Sequence, residues 1–556
     1  MSDFTKNFTR NESTISGGDF GDDNSKDKSV KADTLREDEH FWGALSDEDE
    51  NFENESFSVK SNSNGEWRAT PKTDTKSEPI WKSLRFVLVA AQAVTSVLLM
   101  ISLITMNIIS GHYIFLVGGL LTVLLILSAI KLLGKKKLST PTKIVCSGIS
   151  VVAIVLTVIA FRYTDAFNNF LNKVTSGRLE NKEYSVVVME KSEIKSLAGI
   201  NGKSVGFLET DEKAGAAEEY LQEKVKFEAD FYEDVDILVK VLNNEIVNAI
   251  VIETDRMEML KEDALGSVKD TRVIYTFEIE LTSENVEISN KQVTKEPFVL
   301  YISGTDSRHG VKATARSDVN ILAVVNPAKG KILLVSIPRD TYVQLHGTTG
   351  IKDKLTHAGV YGIDMSRDTI EDFLGVNIDY TTKVSFDTVI KIVDELGGIE
   401  IDSDQAMSLG AEGKNKTCNY VVGKQWVDGD CALRFARERK SYKTGDRHRG
   451  ENQQQVITAI INKLSSSRNL VLRLPEILNI AADSFETSLT RDDISSFIRM
   501  QLNDGTNWEV ESIAVDGTGS MQGTYSMGVN RPLYVMIASP DSVENATAKI
   551  KEYLTD

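Results

Sequence analysis

Residues 437–455 read RERKSYKTGDRHRGENQQQ. Six cations (Arg437, Arg439, Lys440, Lys443, Arg447 and Arg449) surround an acidic turn residue, Asp446, ahead of a glutamine cluster. That density of positive charge is out of character for a chain of formal net charge -18. Such a run is either a solvated basic loop or a site for a dense anion such as phosphate or pyrophosphate. Arginine suits the second use, because its guanidinium presents a bidentate fork to phosphate oxygens and keeps its charge. Gln453 adds a hint. Its spacing from Ile457 and Ile460 puts it on the inward face of a helix, where a buried amide needs partners and a ligand is one candidate.

More arginine–aspartate pairs fall at the ends of strand-like runs. GTDSR sets Asp306 and Arg308 just past an apolar run at 297–302, and ARSD sets Arg316 and Asp318 at the start of a second at 318–325. IPRD sets Arg339 and Asp340 just past a third at 331–337. In open α/β sheets, ligands sit in the crevice beyond strand ends. Two carboxylates, Asp306 and Asp318, among arginines suit a magnesium-bound pyrophosphate, since Mg²⁺ takes oxygens from one or two carboxylates, substrate phosphate and water. Taken singly, each Asp equally suits a turn cap or an ion pair with its neighbouring Arg.

The elements that must hold these residues follow the same rhythm. The expected fold class is α/β, a mixed sheet flanked by helices over 291–545, with helices at 365–374 and 386–396, the latter capped by Ser385 and stopped by Gly397–Gly398. An alternation of short strands and helices over 183–290 predicts a separate small α/β accessory domain. Upstream lie three nearly uncharged runs within 84–161, each long enough to cross about 30 Å of hydrocarbon. Arg68, Lys72, Lys76, Lys82 and Arg85 precede the first run, and Lys131, Lys135, Lys136, Lys137 and Lys143 lie around the second connection. These cations place the N-terminus inside the cell and everything after Arg162 outside, a multi-pass protein of the cell membrane. Residues 162–182 read as a polar stalk. Residues 1–80, acidic and poor in branched apolar side chains, read as a disordered cytoplasmic tail.

The acidity of the chain argues against nucleic acid as a partner. Of its three cysteines, Cys146 lies in the third run. Cys418 and Cys431 lie where oxidation is permitted, at a spacing that suits a disulfide closing a short loop; two free thiols are the alternative.

SGTDSR, ARSDVN, SIPRDT, KLTHA, DELGGIEI and ALRFARER…GDRHRGENQQQ occur in this order. As a set they resemble the LytR-CpsA-Psr family of Gram-positive cell-wall proteins, in detail over 297–465. The three spans and the extra α/β domain resemble its streptococcal, capsule-associated branch. The resemblance implies a phosphotransferase that moves a glycopolymer (capsule, teichoic acid or similar) from a polyprenyl-pyrophosphate carrier in the membrane lipid to peptidoglycan. It implies Mg²⁺ on Asp306 and Asp318, and Arg316, Arg339, Arg437 and Arg439 on the pyrophosphate. Arg308, Asp446, Arg449 and Gln453 would complete the site. Many members have Arg directly before the glutamine cluster, where this chain has Asn452. A carboxylate near the metal, Asp318 or Asp446, would be the general base, and Lys354 and His357 are equally suited to a structural role. A pyrophosphatase using the same pocket and a membrane-bound regulator remain alternatives, although the acidic tail carries no DNA-binding signature.

Overall fold

The computed structural model describes residues 57–61, 67–71, 78–109, 111–134, 139–175, 179–262, 268–282, 289, 291–305, 314–411, 414–466, 482 and 485–555. Most of the tail expected to be disordered lies outside them. One part of it corrects that expectation. Strands β1 (Phe57–Ser61) and β2 (Trp67–Pro71) pair antiparallel, with Phe57 opposite Pro71. Strand-forming Phe, Val, Trp and Thr flank a stretch rich in Ser, Asn and Gly that favours a turn.

The three apolar runs are helices α1 (Glu78–Met106), α2 (Gly111–Leu133) and α3 (Thr140–Val174), all long and apolar enough to cross a membrane. Hydroxyl pairs stitch them: Thr157 donates to Thr95 at 3.0 Å and Ser150 to Ser128 at 3.0 Å. The expected polar stalk is instead a continuation of α3, which makes that helix roughly 50 Å long. Phe167, Phe170, Leu171 and Val174 recur at helical spacing and are buried in one cluster with Phe485, Ile494 and Ile498. Arg491 donates to the Thr105 carbonyl at the end of α1 (2.9 Å), so a cation meets the negative end of the helix dipole. The third helix is thereby packed directly onto the folded portion that follows.

The accessory domain is a five-stranded mixed sheet built from β3 (Leu179–Met189), β4 (Ser204–Leu208), β5 (Glu228–Tyr232), β6 (Ala249–Glu253) and β7 (Thr271–Thr282), in the order β5-β4-β6-β3-β7. Helices α4 (Ala214–Lys224), α5 (Val235–Asn243) and α6 (Thr254–Glu262) connect them.

The second sheet begins with β8 (Phe298–Thr305), β9 (Val319–Asn326) and β10 (Lys331–Ser336), followed by the short strands β11 (Tyr342–Val343) and β12 (Asp353–Lys354). Helices α7 (Leu355–Ala358) and α8 (Ile363–Leu374), strand β13 (Tyr380–Ser385) and helix α9 (Phe386–Glu395) come next. Then come two ribbons, β14 (Ile399–Ser403) with β17 (Gly423–Val427) and β15 (Met407–Ala411) with β16 (Lys414–Tyr420). Helices α10 (Gly429–Arg437) and α11 (Asp446–Ser466), strand β18 (Phe485–Thr487) and helix α12 (Arg491–Asp504) lead to β19 (Glu509–Ala514). A hairpin of β20 (Gly517–Thr524) and β21 (Gly528–Ala538) precedes α13 (Pro540–Leu554).

The sheet order is β18-β13-β8-β9-β10-β19, with β8–β13 and β10–β19 parallel and the other pairs antiparallel. Every residue of β9 is buried, because helices cover both faces. Leu322 and Val324 pack toward α8 and α13, while Ile321, Ala323 and Val325 join the opposite core with Ile457 and Phe497. Cys418 on β16 and Cys431 on α10 form a disulfide. Closing so short a loop contributes about 3 kcal/mol through the unfolded state.

Candidate active site

The turn ARSDVN enters β9, and its backbone is held residue by residue. The Arg316 N–H donates to Asp255 Oδ2 (3.1 Å), that of Ser317 to the Thr356 carbonyl (3.1 Å), and that of Asp318 to the Gly304 carbonyl (2.8 Å). The buried Ser317 hydroxyl is also packed among Ser303 Oγ (2.8 Å), Tyr301 Oη (3.1 Å) and Asn320 Oδ1 (2.9 Å). Gly359 lets the KLTHA segment close on this turn, since a Cβ there would lie 2.7 Å from the Ser317 nitrogen. The IPRD turn after β10 is fastened to the same segment by Thr356 N–H on the Arg339 carbonyl (2.9 Å).

Side chains from these turns converge with the start of α11. Arg339 Nη1 lies 2.8 Å from Asp318 Oδ1, which also receives a long 3.4 Å contact from Thr356 Oγ1. Arg449 Nη2 contacts Asp446 Oδ1 at 2.9 Å and the Asp318 carbonyl at 3.4 Å, tying α11 to the ARSD turn. Arg439 stands 4.0 Å from Asp446 Oδ1. Asp340 pairs with Lys354 and lies 4.0 Å from Arg339 Nε. Asp446, Arg449 and Gln453 share one helical face by their spacing of three and four. Gly450 permits the close approach of α11 to β10, because a Cβ there would sit 2.8 Å from Ser336 Oγ.

Arg437 reaches the same end of the sheet by another route. Its guanidinium carbon is 5.0 Å from the centroid of the Phe386 ring, and Phe386 in turn lies against Gly304. Asp306 and Arg308 lie outside the described residues.

The two carboxylates are pushed in opposite directions. Burial alone would raise the Asp318 carboxyl, but Arg339, helped by Arg449 and Arg316, holds it below the ordinary carboxylate range. Burial raises the Asp446 carboxyl, and the charge of Asp340 adds to this, beyond what Arg449, Arg339 and Arg439 take back. Both Asp446 oxygens are buried with no hydrogen-bond partner in the protein, the Arg449 contact having ion-pair distance without hydrogen-bond geometry. Arg339 Nε and Arg449 Nε share that condition. Buried polar atoms are normally satisfied, so their concentration at one point marks a place where a polar ligand completes the set.

Of the two expected metal ligands only Asp318 is described, and its carboxylate is an oxygen donor of the kind Mg²⁺ accepts. Arg339 and Thr356 engage only Oδ1 of Asp318. Among the described residues no group of three or more His, Cys, Asp or Glu forms a closed cage.

Several residues take structural roles. His357 turns to Asp353 (2.6 Å) and is buried. Asn452 donates to the Phe435 carbonyl (3.0 Å), bracing α11 against α10. Gln454 bridges the Leu334 and Ile513 carbonyls on β10 and β19 (3.0 and 2.7 Å), a neighbour of the Gln453 that sequence spacing singled out. Arg447 faces outward to Asp516 at 2.6 Å. Sequence reasoning missed Lys354 as the partner of Asp340, and missed Asp255, which lies in another domain and carries no motif.

The model of the LytR_cpsA_psr family matches residues 269–540. The polyisoprenyl-teichoic acid–peptidoglycan teichoic acid transferase TagU of Enterococcus faecalis is 34% identical over 247 residues, 43% of this chain and 78% of that protein. This chain belongs to the LytR-CpsA-Psr family. TagU of Bacillus subtilis is 33% identical over 264 residues, 47% of this chain and 79% of that protein. Its crystal structure aligns at 29% identity with a TM-score of 0.36, covering 47% of this chain and 98% of that one. As a LytR-CpsA-Psr protein the chain is a phosphotransferase-type enzyme, and its three apolar helices and most of its accessory domain precede the matched region.

Proposed function

We propose that this protein transfers a glycopolymer of the capsule or teichoic acid type from a polyprenyl-pyrophosphate carrier to peptidoglycan on the outer side of the membrane. The observation that carries the reading is the buried, unsatisfied carboxylate of Asp446 among Arg339, Arg439 and Arg449, beside an ionised Asp318. The names of the TagU relatives, which specify polyisoprenyl-teichoic acid and peptidoglycan, support the donor and acceptor classes.

A peptidoglycan hydroxyl oxygen attacks the sugar-proximal phosphorus, the bond from that phosphorus to the bridging oxygen breaks, and polyprenyl phosphate leaves. Asp446, its proton affinity raised by burial, takes the hydroxyl proton. Arg339, Arg449 and Arg439, with Arg316 and Arg437 from neighbouring turns, hold the phosphate oxygens and offset the charge that develops on them. Asp318, with Asp306, would hold Mg²⁺, which supplies further neutralisation of the two phosphates.

The proposed outward orientation draws on the cation distribution around the helices and on the contact between α3 and the folded portion. The lysine-rich connection before α3 favours a cytoplasmic start for that helix, and its far end packs against the folded portion, which supports an extracytoplasmic catalytic domain. Reporter fusions after Arg162 should be active only as extracytoplasmic reporters; a cytoplasmic signal would sink the reading. Purified full-length protein given a polyprenyl-pyrophosphate oligosaccharide, Mg²⁺ and peptidoglycan fragments should yield glycan phosphodiester-linked to the acceptor. Release of water-soluble glycan phosphate at the same rate with and without acceptor would assign a pyrophosphatase instead.

A further inference from the structure

Three successive backbone N–H groups, of Arg316, Ser317 and Asp318, are each held by a different element of the molecule. Two of the partners, the carbonyls of Thr356 and Gly304, belong to the segment that matches the family. The third, Asp255, precedes that segment and belongs to the accessory domain. A second clamp from the same domain lies just upstream, where the Thr314 N–H donates to the Asn181 carbonyl of β3 at 2.9 Å.

Asp255 has little freedom to move. Thr254 before it is within 2.9 Å of the Ser185 hydroxyl. Arg256 after it is buried and bound to Glu253 Oε2 (2.8 Å), the Ser526 carbonyl (3.2 Å) and Tyr361 Oη (3.1 Å). Glu253 is itself paired with the buried Lys182. On one side of Asp255 the chain is held within the accessory domain by Thr254, on the other Arg256 ties it to Ser526 and Tyr361 of the catalytic domain, and the Asp255 carboxylate between them is aimed at the turn that carries Arg316 and Asp318. Its Coulombic partner on that turn is the Arg316 side chain.

We infer that Asp255 is a positioning residue for phosphoryl transfer, and that the accessory domain is a working part of the catalytic site. It sets the turn on which Arg316 and Asp318 sit without itself touching substrate. The inference rests on the reading of that pocket as the transfer site.

The test uses the full-length protein. Asp255→Ala should lower the transfer rate about ten- to a hundredfold, the usual consequence of leaving a buried donor unpaired beside reacting groups. Asp255→Asn keeps an acceptor oxygen at the same reach and should recover most of that loss, which removal of a generic domain contact would not predict. Combined with Arg316→Ala, Asp255→Ala should cost far less than the product of the two single effects. Where Ala unseats the domain, Asp255→Glu is the second variant; it keeps the charge, displaces the oxygen by a methylene, and should also lose rate. Hydrogen exchange gives a readout independent of activity, since the Arg316 amide should lose protection in Asp255→Ala while that of Asp318 keeps most of its own. A wild-type protein inactive in transfer defeats the functional reading alone. An Arg316 amide equally protected in Asp255→Ala, or effects of Asp255→Ala and Arg316→Ala that simply multiply, overturns the role of Asp255.

Discussion

Arg339→Ala should lower kcat/KM for transfer by at least about a hundredfold, the largest loss expected from any single arginine of the site. Two interactions disappear together. The ion pair with Asp318, both side chains being about four-fifths buried, leaves an uncompensated carboxylate, and breaking a buried pair costs about 3–5 kcal/mol. The proposed phosphate contact is charge-assisted and worth about 1.5–3 kcal/mol, or ten- to a hundredfold in rate. Arg339→Lys should recover only part, because an ammonium cannot span Asp318 and a phosphate oxygen with one rigid fork. Arg439→Ala should cost less, about tenfold, since Arg439 is half-exposed and 4.0 Å from Asp446. The controls lie in the same stretch. Lys440 and Lys443 are exposed, and Arg447 is drawn outward by Asp516, so Ala at each should leave the rate within about twofold of wild type. Equal and small effects at Arg339 and Lys440 would mean that the cations form a solvated loop.

That contrast also shows where sequence reading reaches its limit. The strands β8, β9 and β10 were legible because residues buried on both faces must be apolar throughout, and the charged pairs at their ends stood out against that background. The grouping of Asp318, Arg339, Asp446 and Arg449 at one point depends on α11 packing against β10, a tertiary contact that spacing alone suggests only through Gly450 and the helical face of Asp446 and Arg449. The six cations at 437–449 looked alike in sequence. Their division into site and surface depends on partners remote in the chain, such as Asp516 for Arg447 and Phe386 for Arg437. The polar surroundings of Phe167 and Phe170 hid the helical continuation of α3, because the residues that cover them come from the end of α1 and from a segment more than three hundred positions later. Asp255 was illegible for the same reason, since its acceptor role exists only once two domains dock.

Asp446→Asn should remove general-base assistance, which contributes about a hundred- to ten-thousandfold. The sign of the pH dependence follows from the direction of its shift. Only the ionised carboxylate accepts the hydroxyl proton, so wild-type transfer should be low in acid and rise as Asp446 deprotonates. Burial, reinforced by Asp340, places that rise above the ordinary carboxylate range. In Asp446→Asn the residual rate should be flat across the same interval. Asp318, held below the ordinary range by Arg339, would produce a limb at lower pH, so the position of the limb separates the two candidate bases. Added Mg²⁺ separates base from metal ligand. Excess metal should restore part of the rate to a variant that merely binds it poorly, as expected for Asp318→Asn, but none to Asp446→Asn. A residual rate in Asp446→Asn that kept the wild-type acid limb would transfer the proton-accepting role to another group and leave Asp446 as an anchor for Arg449.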